Sequence, residues 1–333
     1  MNAVNDLYVL NSTFDTTDRG ADIERMLSKN GICVLGHGVF YVSGVTMPDH
    51  TTLMGLGECS QLILAEEIEE GYAVKLGSRC CIKNLAIKGA PEDIERPTEL
   101  GKRHGIGFLG TATTKDWSGQ SRNCIVDACQ IRSFTGGGIT CTDTGYSVGC
   151  SITATNCHIN YCGIGINISH FSEFHRFTNM YCCHNFFGCV NNGGNNVFVN
   201  CVFDSNTTGY IIDNADGNAN NNSHGSVVGC TFNHSGYNKG IGIAIINAKN
   251  GYVFTGCQMF YSKIFVDGSS AIQFNDFNFG KNQEITIKGG KMVLFSNCLF
   301  SKQPTVILED EPCVRCHHCY TWDGEEVLIG EGV

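Results

Sequence analysis

The segment Phe198-Val199-Asn200-Cys201-Val202-Phe203 is one copy of a six-residue pattern that recurs along the chain. Each copy has apolar residues at its first, fourth and sixth positions, except that the weaker last copy ends in Thr321, and the fourth is often Cys. The copies begin at Ile82, Val126, Ala154, Phe177, Phe198, Val227, Phe254, Phe274, Phe295 and Cys316. From Val126 onward they start 20 to 29 residues apart. A repeat of this period predicts a solenoid of stacked units.

The third position of the pattern predicts a corner in every unit. It is occupied by Asn84, Ala128, Asn156, Asn179, Asn200, Gly229, Gly256, Asp276, Asn297 and His318. Most of these are Asn, Asp or Gly, the residues that best tolerate left-handed backbone angles. The fourth and sixth positions are two residues apart, so their side chains point to one face of a strand. The pattern therefore predicts a short strand that follows a sharp corner and faces a core.

Further segments complete the predicted coil and its cap. A strand that opens with Gly follows each copy, as in Gly209-Tyr210-Ile211-Ile212. Near the N-terminus, Ala21–Ser28 is predicted as a capping helix that Gly31 stops. The predicted fold is all-β, a right-handed parallel β-helix with a short N-terminal capping helix. Its predicted parts are residues 1–31 (N-terminal segment and helix), 32–321 (β-helix) and 322–333 (tail).

The charge composition of the chain argues against nucleic acids and anionic membranes as binding partners. The 333 residues carry a net charge of −10, and only 16% are charged. Nucleic acids and anionic membranes need clustered Lys and Arg, so neither is expected as a partner. No apolar run reaches transmembrane length. The start Met1–Asp6 has no signal-peptide features, which favours synthesis in a cytoplasm.

The 20 cysteines are expected to be reduced thiols. Seven of them fall at the fourth position of the repeat: Cys129, Cys157, Cys201, Cys230, Cys257, Cys298 and Cys319. In a stack of coils they would form an internal column of small apolar groups. Disulfides between neighbouring coils are the alternative.

The N-terminal third resembles the start of pectate-lyase-superfamily β-helices. The similarity lies in the predicted helix, in Gly36-His37-Gly38-Val39-Phe40-Tyr41-Val42 and in Thr52-Leu53-Met54-Gly55-Leu56-Gly57. The Asn-Cys coils extend it to about residue 321, and the chain is similar to phage tailspikes and prophage tail proteins. The resemblance implies a homotrimer that recognises host-surface polysaccharide, with a place in the virion. Because this superfamily includes lyases, hydrolases, epimerases and inactive binders, it leaves the chemistry open.

Four acidic residues are candidates for catalysis. Glycoside hydrolysis usually needs two carboxylates, one as acid and one as base or nucleophile. Candidates in the central coils are Glu173, Asp204, Asp213 and Asp216. The alternative is that these acids only form turns. A lyase for acidic sugars is less favoured than a hydrolase, because Lys and Arg are sparse in these coils.

A ligand site is predicted on the side wall between about residues 158 and 234. Sugars need aromatic carbon for their apolar faces and polar partners for their hydroxyls. The predicted substrate-binding residues are His170, Phe171, Phe174, His175, Arg176, Tyr181, Tyr210 and His224. The expected partner is a polysaccharide or oligosaccharide.

No cofactor or metal is expected. The segment from Asp213 to Asn218 lacks the alternating acids and the final Glu of an EF-hand loop. Cys313, Cys316 and Cys319 lack a second ligand pair at zinc-finger spacing. Three hypotheses remain: a glycan-recognising phage-tail β-helix, with or without endo-glycosidase activity; a non-catalytic structural or receptor-binding virion protein; and a cytoplasmic bacterial glycosidase or lyase.

Overall fold

The computed structural model describes residues 9–13, 15–90, 92, 95–111, 119–143, 146–214, 224–238, 240–281 and 283–329. By their contacts, the residues form two compact units, Met1–Asn167 and Ile168–Val333. Both units consist of short strands that pair in parallel with the strands of the next coil. The predicted parallel β-helix fold is therefore confirmed, whereas the boundaries predicted after residues 31 and 321 stay a prediction.

In each coil three strands follow one another, and we call their stacks faces 1, 2 and 3. In the first unit, face 1 contains Val9–Leu10, Ile32–Leu35, Ile125–Asp127 and Thr153–Thr155, and face 2 contains Gly38–Val42, Gln130–Arg132 and His158–Asn160. Thr52–Leu64 and Cys81–Lys88 run through both faces. Face 3 contains Val45–Met47, Gly71–Leu76, Arg103–Phe108, Gly137–Thr140 and Ile164–Ile168. Ser121–Arg122 pairs with Gly149–Cys150, and Thr142–Asp143 pairs with Tyr146–Ser147.

The second unit repeats this plan. Face 1 contains Arg176–Thr178, Gly194–Val199, His224–Val228, Tyr252–Thr255, Ser270–Asn275, Lys291–Ser296 and Val314–His317. Face 2 contains Tyr181–Cys183, Val202–Asp204, Thr231–Asn233, Gln258–Phe260, Asn278–Phe279, Leu299–Phe300 and Tyr320–Thr321. Face 3 contains Phe187–Asn191, Thr208–Asp213, Ile241–Ile246, Lys263–Asp267, Glu284–Lys288 and Thr305–Glu309. A short 3₁₀ helix spans Ser235–Asn238.

The corner between faces 1 and 2 lies where the sequence pattern predicts it. All ten residues at the third position have positive φ, from 50° at Ala128 to 63° at Gly229 and Gly256. The corner N–H bonds to the next coil, as from Asn200 to the carbonyl of Val228 at 2.9 Å. Ala128 and His318 adopt the same angles, at a steric cost of about 1 kcal/mol each.

A second corner, between faces 2 and 3, was not predicted. It also has positive φ, and it is formed by Ser133, Tyr161, His184, Ser205, His234 and Tyr261. Ser and Tyr do not signal a left-handed corner, and His does so less clearly than Asn or Gly. The hydrogen bonds between coils hold them there, as from the His234 N–H to the Phe260 carbonyl at 3.1 Å.

Columns of small and aromatic side chains fill the core. The seven fourth-position cysteines are buried, and the structure places none of the 20 cysteines, all within its described residues, in a disulfide. In the second unit, Phe rings stack between coils, as in the pairs Phe177–Phe198 at 4.8 Å and Phe279–Phe300 at 4.5 Å. Stacks of this kind fix the register of neighbouring coils, because like side chains repeat at the strand spacing.

The helix spans Gly20–Asn30 and buries Ile23 and Leu27. Asp18 accepts a hydrogen bond from the Gly20 N–H at 2.8 Å. Gly31 ends the helix with φ 73°, and its N–H donates to the Leu27 carbonyl at 2.8 Å. In the described part of the chain, no helix has the length and apolarity needed to span a membrane.

Candidate functional site

Glu173 lies in the turn between faces 3 and 1 of the second unit. Its side chain is almost fully buried, and Asn195 Nδ2 donates to its Oε2 at 3.2 Å. The flanking residues Phe171 and Phe174 have positive φ, and the Phe174 side chain is 45% exposed. An amide donor thus holds the carboxyl group beside an exposed aromatic ring.

Other predicted binding residues surround this turn. His170 is partly exposed, and Arg176 is exposed at the start of the following strand. His224 is partly exposed, and it pairs with Gly194 in the strand register. The predicted residues at this edge therefore come from separate coils.

His175 and Tyr210 correct the predicted binding set, because both are fully buried. His175 Nε2 lies 2.7 Å from Ser172 Oγ, and burial lowers the pKa of His175 to about 3. The hydroxyl group of Tyr210 accepts from Asn191 Nδ2 at 2.7 Å and lies 2.9 Å from the hydroxyl of Tyr252. This buried polar network supports the turn from inside, so neither residue reaches a bound sugar in this conformation.

Asp204 lies on face 2, at the second corner. Its Oδ1 is 3.3 Å from His234 Nδ1, and Ser205 Oγ donates to its Oδ2 at 3.1 Å. The His234 ring stacks on Tyr261 with the centroids 4.9 Å apart. Burial raises the pKa of Tyr181, the predicted binding residue on the same face. The arrangement is a carboxylate that orients an imidazole, which is one form of a general base.

The structure separates two of the four predicted acids, Asp204 and Asp213. Asp204 precedes the strand Thr208–Asp213, whereas Asp213 ends it. Six residues of strand span roughly 17 Å, beyond the about 5 to 9.5 Å that separates the carboxyl groups of glycosidases. Asp204 and Asp213 therefore do not form such a pair within one chain. Asp216 lies outside the described residues.

An open groove of about 510 Å³ lies on face 3 of the first unit. It is lined by Glu70, Gly71, Tyr72, Lys75, Lys102, His104, Thr140, Thr142 and Asn167. Strand register aligns Tyr72 with His104, and Thr140 with Asn167. Outward side chains from four coils thus form a continuous polar and aromatic surface.

The aromatic part of the groove depends on a glycine. The Tyr72 and His104 rings stack with centroids 4.7 Å apart and an interplanar angle of 21°. Gly107 is paired with Lys75, and a Cβ added to it would collide with the Tyr72 ring. Glycine at position 107 therefore lets the ring lie close against the sheet.

Hydrogen bonds and charges order the groove. His104 Nδ1 accepts from the Gly137 N–H at 2.8 Å, so a neutral His104 ring carries its proton on Nε2. The Tyr72 hydroxyl donates to the Thr142 carbonyl at 3.3 Å. Lys102 forms an ion pair with Glu70, and Lys75 Nζ lies 4.7 Å from the centroid of the Tyr72 ring.

This groove was not predicted from the sequence, which placed the ligand site in the middle coils. The six-residue pattern describes faces 1 and 2, whereas the groove is on face 3 of the early coils, where the sequence is less regular. Strand alternation does not signal the groove, because Tyr72 and His104 share the parity of the buried residues Val74 and Ile106. Within the described residues, no group of three or more His, Cys, Asp or Glu is placed to hold a metal ion.

Solved structures with a similar fold include a phage tailspike domain, a mannuronan epimerase module and an α-1,3-glucanase. The enzymatically active domain of bacteriophage CBA120 tailspike protein 2 superposes with a TM-score of 0.60 at 14% identity, over 92% of this chain and 45% of that one. The A-module of the Azotobacter vinelandii mannuronan C-5 epimerase AlgE4 gives 0.59 at 13%, over 96% and 98%. The catalytic unit of a GH87 α-1,3-glucanase from Streptomyces thermodiastaticus gives 0.57 at 11%, over 94% and 68%.

These similarities show the fold. At 11 to 14% identity they carry no residue-level assignment. The chain spans about half the length of the tailspike domain it matches. No protein-family model matches the chain, and no curated protein is similar to it in sequence.

Proposed function

We propose that this β-helix binds a bacterial surface polysaccharide or oligosaccharide, and that the groove on face 3 of the first unit is a binding site. The observation that carries the proposal is the Tyr72–His104 stack inside an open groove of about 510 Å³. Sugars present C–H surfaces that pack on aromatic carbon, and hydroxyl groups that need amide, hydroxyl or charged partners. Asn167 and Lys75 provide such partners beside the stack.

The similar structures support the carbohydrate class. Two of these structures are enzymes named for polysaccharide substrates, mannuronan and α-1,3-glucan. The third is an enzymatically active domain of a phage tailspike. The proposed setting is a phage tail, where the chain would hold host-surface polysaccharide as a homotrimer. A bacterial enzyme acting on oligosaccharides is the alternative setting.

Cleavage is a second candidate function, favoured by the acids of the second unit. Glu173 is held by Asn195 beside exposed Phe174, and Asp204 orients His234. Because strand length separates Asp204 from Asp213, we propose Glu173 with Asp213 or Asp216 for hydrolysis, and Asp204 with His234 for a separate acid–base role. Release of reducing ends by Glu173→Gln, Asp213→Asn, Asp216→Asn and Asp204→Asn variants would assign the cleavage.

Binding can be tested with a panel of bacterial capsular and O-antigen polysaccharides immobilised for surface plasmon resonance. Tyr72→Ala is expected to weaken binding of the selected polysaccharide by about tenfold, since it removes aromatic contact area. Gly107→Ala should have a similar effect with the fold retained, because its Cβ collides with the Tyr72 ring and with no backbone atom.

Tyr320→Ala is the matched control, because Tyr320 is 40% exposed and does not line the groove. Its affinity should equal that of the unchanged protein. If Tyr72→Ala and Gly107→Ala retained full affinity, the binding site would be elsewhere. If no polysaccharide of the panel bound, the proposed function would be wrong.

A further inference from the structure

We infer that the groove selects saccharides in which an acidic sugar is flanked by neutral ones, and that Lys75 is the residue that recognises the acidic group. The inference rests on the proposed function, since it names the ligand of the same groove. It starts from the distribution of charge along the groove.

Lys75 is a cation without a carboxylate partner among the residues that the structure describes. Its Nζ lies 4.7 Å from the centroid of the Tyr72 ring, a contact that restrains the long side chain. The other lysine of the groove, Lys102, is paired with Glu70. One restrained ammonium group therefore remains available for an anionic ligand, in a protein of net charge −10.

The opposite end of the groove is acidic. A neighbouring cavity of about 460 Å³ shares Glu70 and Lys102 with the groove, and it is also lined by Glu69, Glu95 and Glu99. Glu70 is the glutamate nearest to Lys75 in the chain, and its ion pair with Lys102 compensates its charge. The attraction of Lys75 for an anionic group is therefore retained.

The two ends together define the ligand. A carboxylate at Lys75 gains a charge-assisted hydrogen bond, whereas a second carboxylate farther along the saccharide meets the glutamates and is repelled. A polymer with an acid on every sugar suffers this repulsion, and a polymer with separated acidic sugars avoids it. The groove should therefore bind heteropolysaccharides with separated acidic sugars more tightly than homopolymers of uronic acid.

The test uses each polysaccharide that the unchanged protein binds, the same polysaccharide after chemical reduction of its carboxyl groups, and polygalacturonate. We expect the bound polysaccharides to contain separated acidic sugars, and carboxyl reduction to weaken binding by about tenfold. Lys75→Gln should cause the same loss for the native polysaccharide and no further loss for the reduced one. Lys75→Arg should retain most of the affinity, and polygalacturonate should bind weakly at most.

Lys29→Gln is the matched control, because it removes the same charge from the last turn of the helix in the same unit. It should leave every affinity unchanged, and thermal unfolding should show that all variants are folded. Binding that survives both carboxyl reduction and Lys75→Gln would overturn the inference while leaving the proposed function intact. Strong binding of polygalacturonate would also overturn it. Absence of any binding would overturn the proposed function itself.

Discussion

At the scale of single residues, the two corners of the coil differ in how openly the sequence signals them. Asn at the first corner reveals it directly, because Asn tolerates positive φ. The second corner places Ser205, His234 and Tyr261 at φ of 45° to 55°. Residues that rarely adopt such angles persist there because hydrogen bonds between coils over-determine the backbone. One consequence is that side chains able to do chemistry project from this corner.

Fully buried His175 predicts a pH dependence of stability. Burial lowers its pKa from 6.5 to about 3, so the native state keeps the ring neutral while the unfolded state takes up a proton below pH 6.5. The free energy of unfolding is therefore highest above pH 6.5, and it falls as the pH is lowered toward 3, because only the unfolded state protonates this ring. Between pH 6.5 and pH 5 the loss should be about 2 kcal/mol, from 1.5 units at 1.36 kcal/mol each.

The measurement is the free energy of unfolding by denaturant at pH 7 and pH 5. His175→Gln should reduce the difference between the two values, whatever it does to stability at pH 7. His158→Gln, at an exposed position on face 2 of the first unit, should keep the full difference. An unaltered pH difference in His175→Gln would contradict the buried neutral imidazole.

At the scale of elements, parallel strand pairing places equivalent residues of successive coils one above another, so a repeat in the sequence becomes a column of side chains. Ile32–Leu35 and Gly38–Val42 are separate strands in one coil, whereas the single strand Thr52–Leu64 of the next coil pairs with both. Stacking then creates neighbours that are distant in the chain, such as Tyr72 and His104. Inward positions become the Cys and Phe columns, and outward positions become the groove.

The cysteine columns predict a thiol count. In native protein, exposed Cys59 and Cys313 should react rapidly with a thiol reagent, and half-buried Cys81 and Cys316 more slowly. The remaining thiols should react only after denaturation, giving 20 in total without added reductant. Cys59→Ser with Cys313→Ser should remove the rapid phase and nothing else. Fewer than half of the 20 thiols in unreduced, denatured protein would refute the reduced columns.

At the scale of the whole molecule, we still predict a homotrimer, because apolar residues project outward from face 2. Val202, Phe260 and Leu299 project from this face, and Leu299 is 47% exposed. An exposed apolar surface of this kind favours association with another protein surface. Light scattering should then give three times the chain mass of 36.2 kDa at micromolar concentration.

A charge on this surface should weaken the assembly. Leu299→Asp is expected to shift the mass toward the monomer, because it desolvates a carboxylate at the interface. Leu56→Asp, at a residue 60% exposed in the first unit, is the matched control and should leave the mass unchanged. A monomer mass for the unchanged protein would rule out the trimer.

The coil, its first corner, the inward columns and the capping helix could be predicted from the sequence alone, because each depends on residues close together in the chain. The sequence also turned Asp204 outward correctly, since strand alternation is local. It did not find His234 as the partner of Asp204, nor the stack of Tyr72 on His104. These contacts depend on the assembled fold, because coils of unequal length bring a given pair into register only once the whole stack has formed.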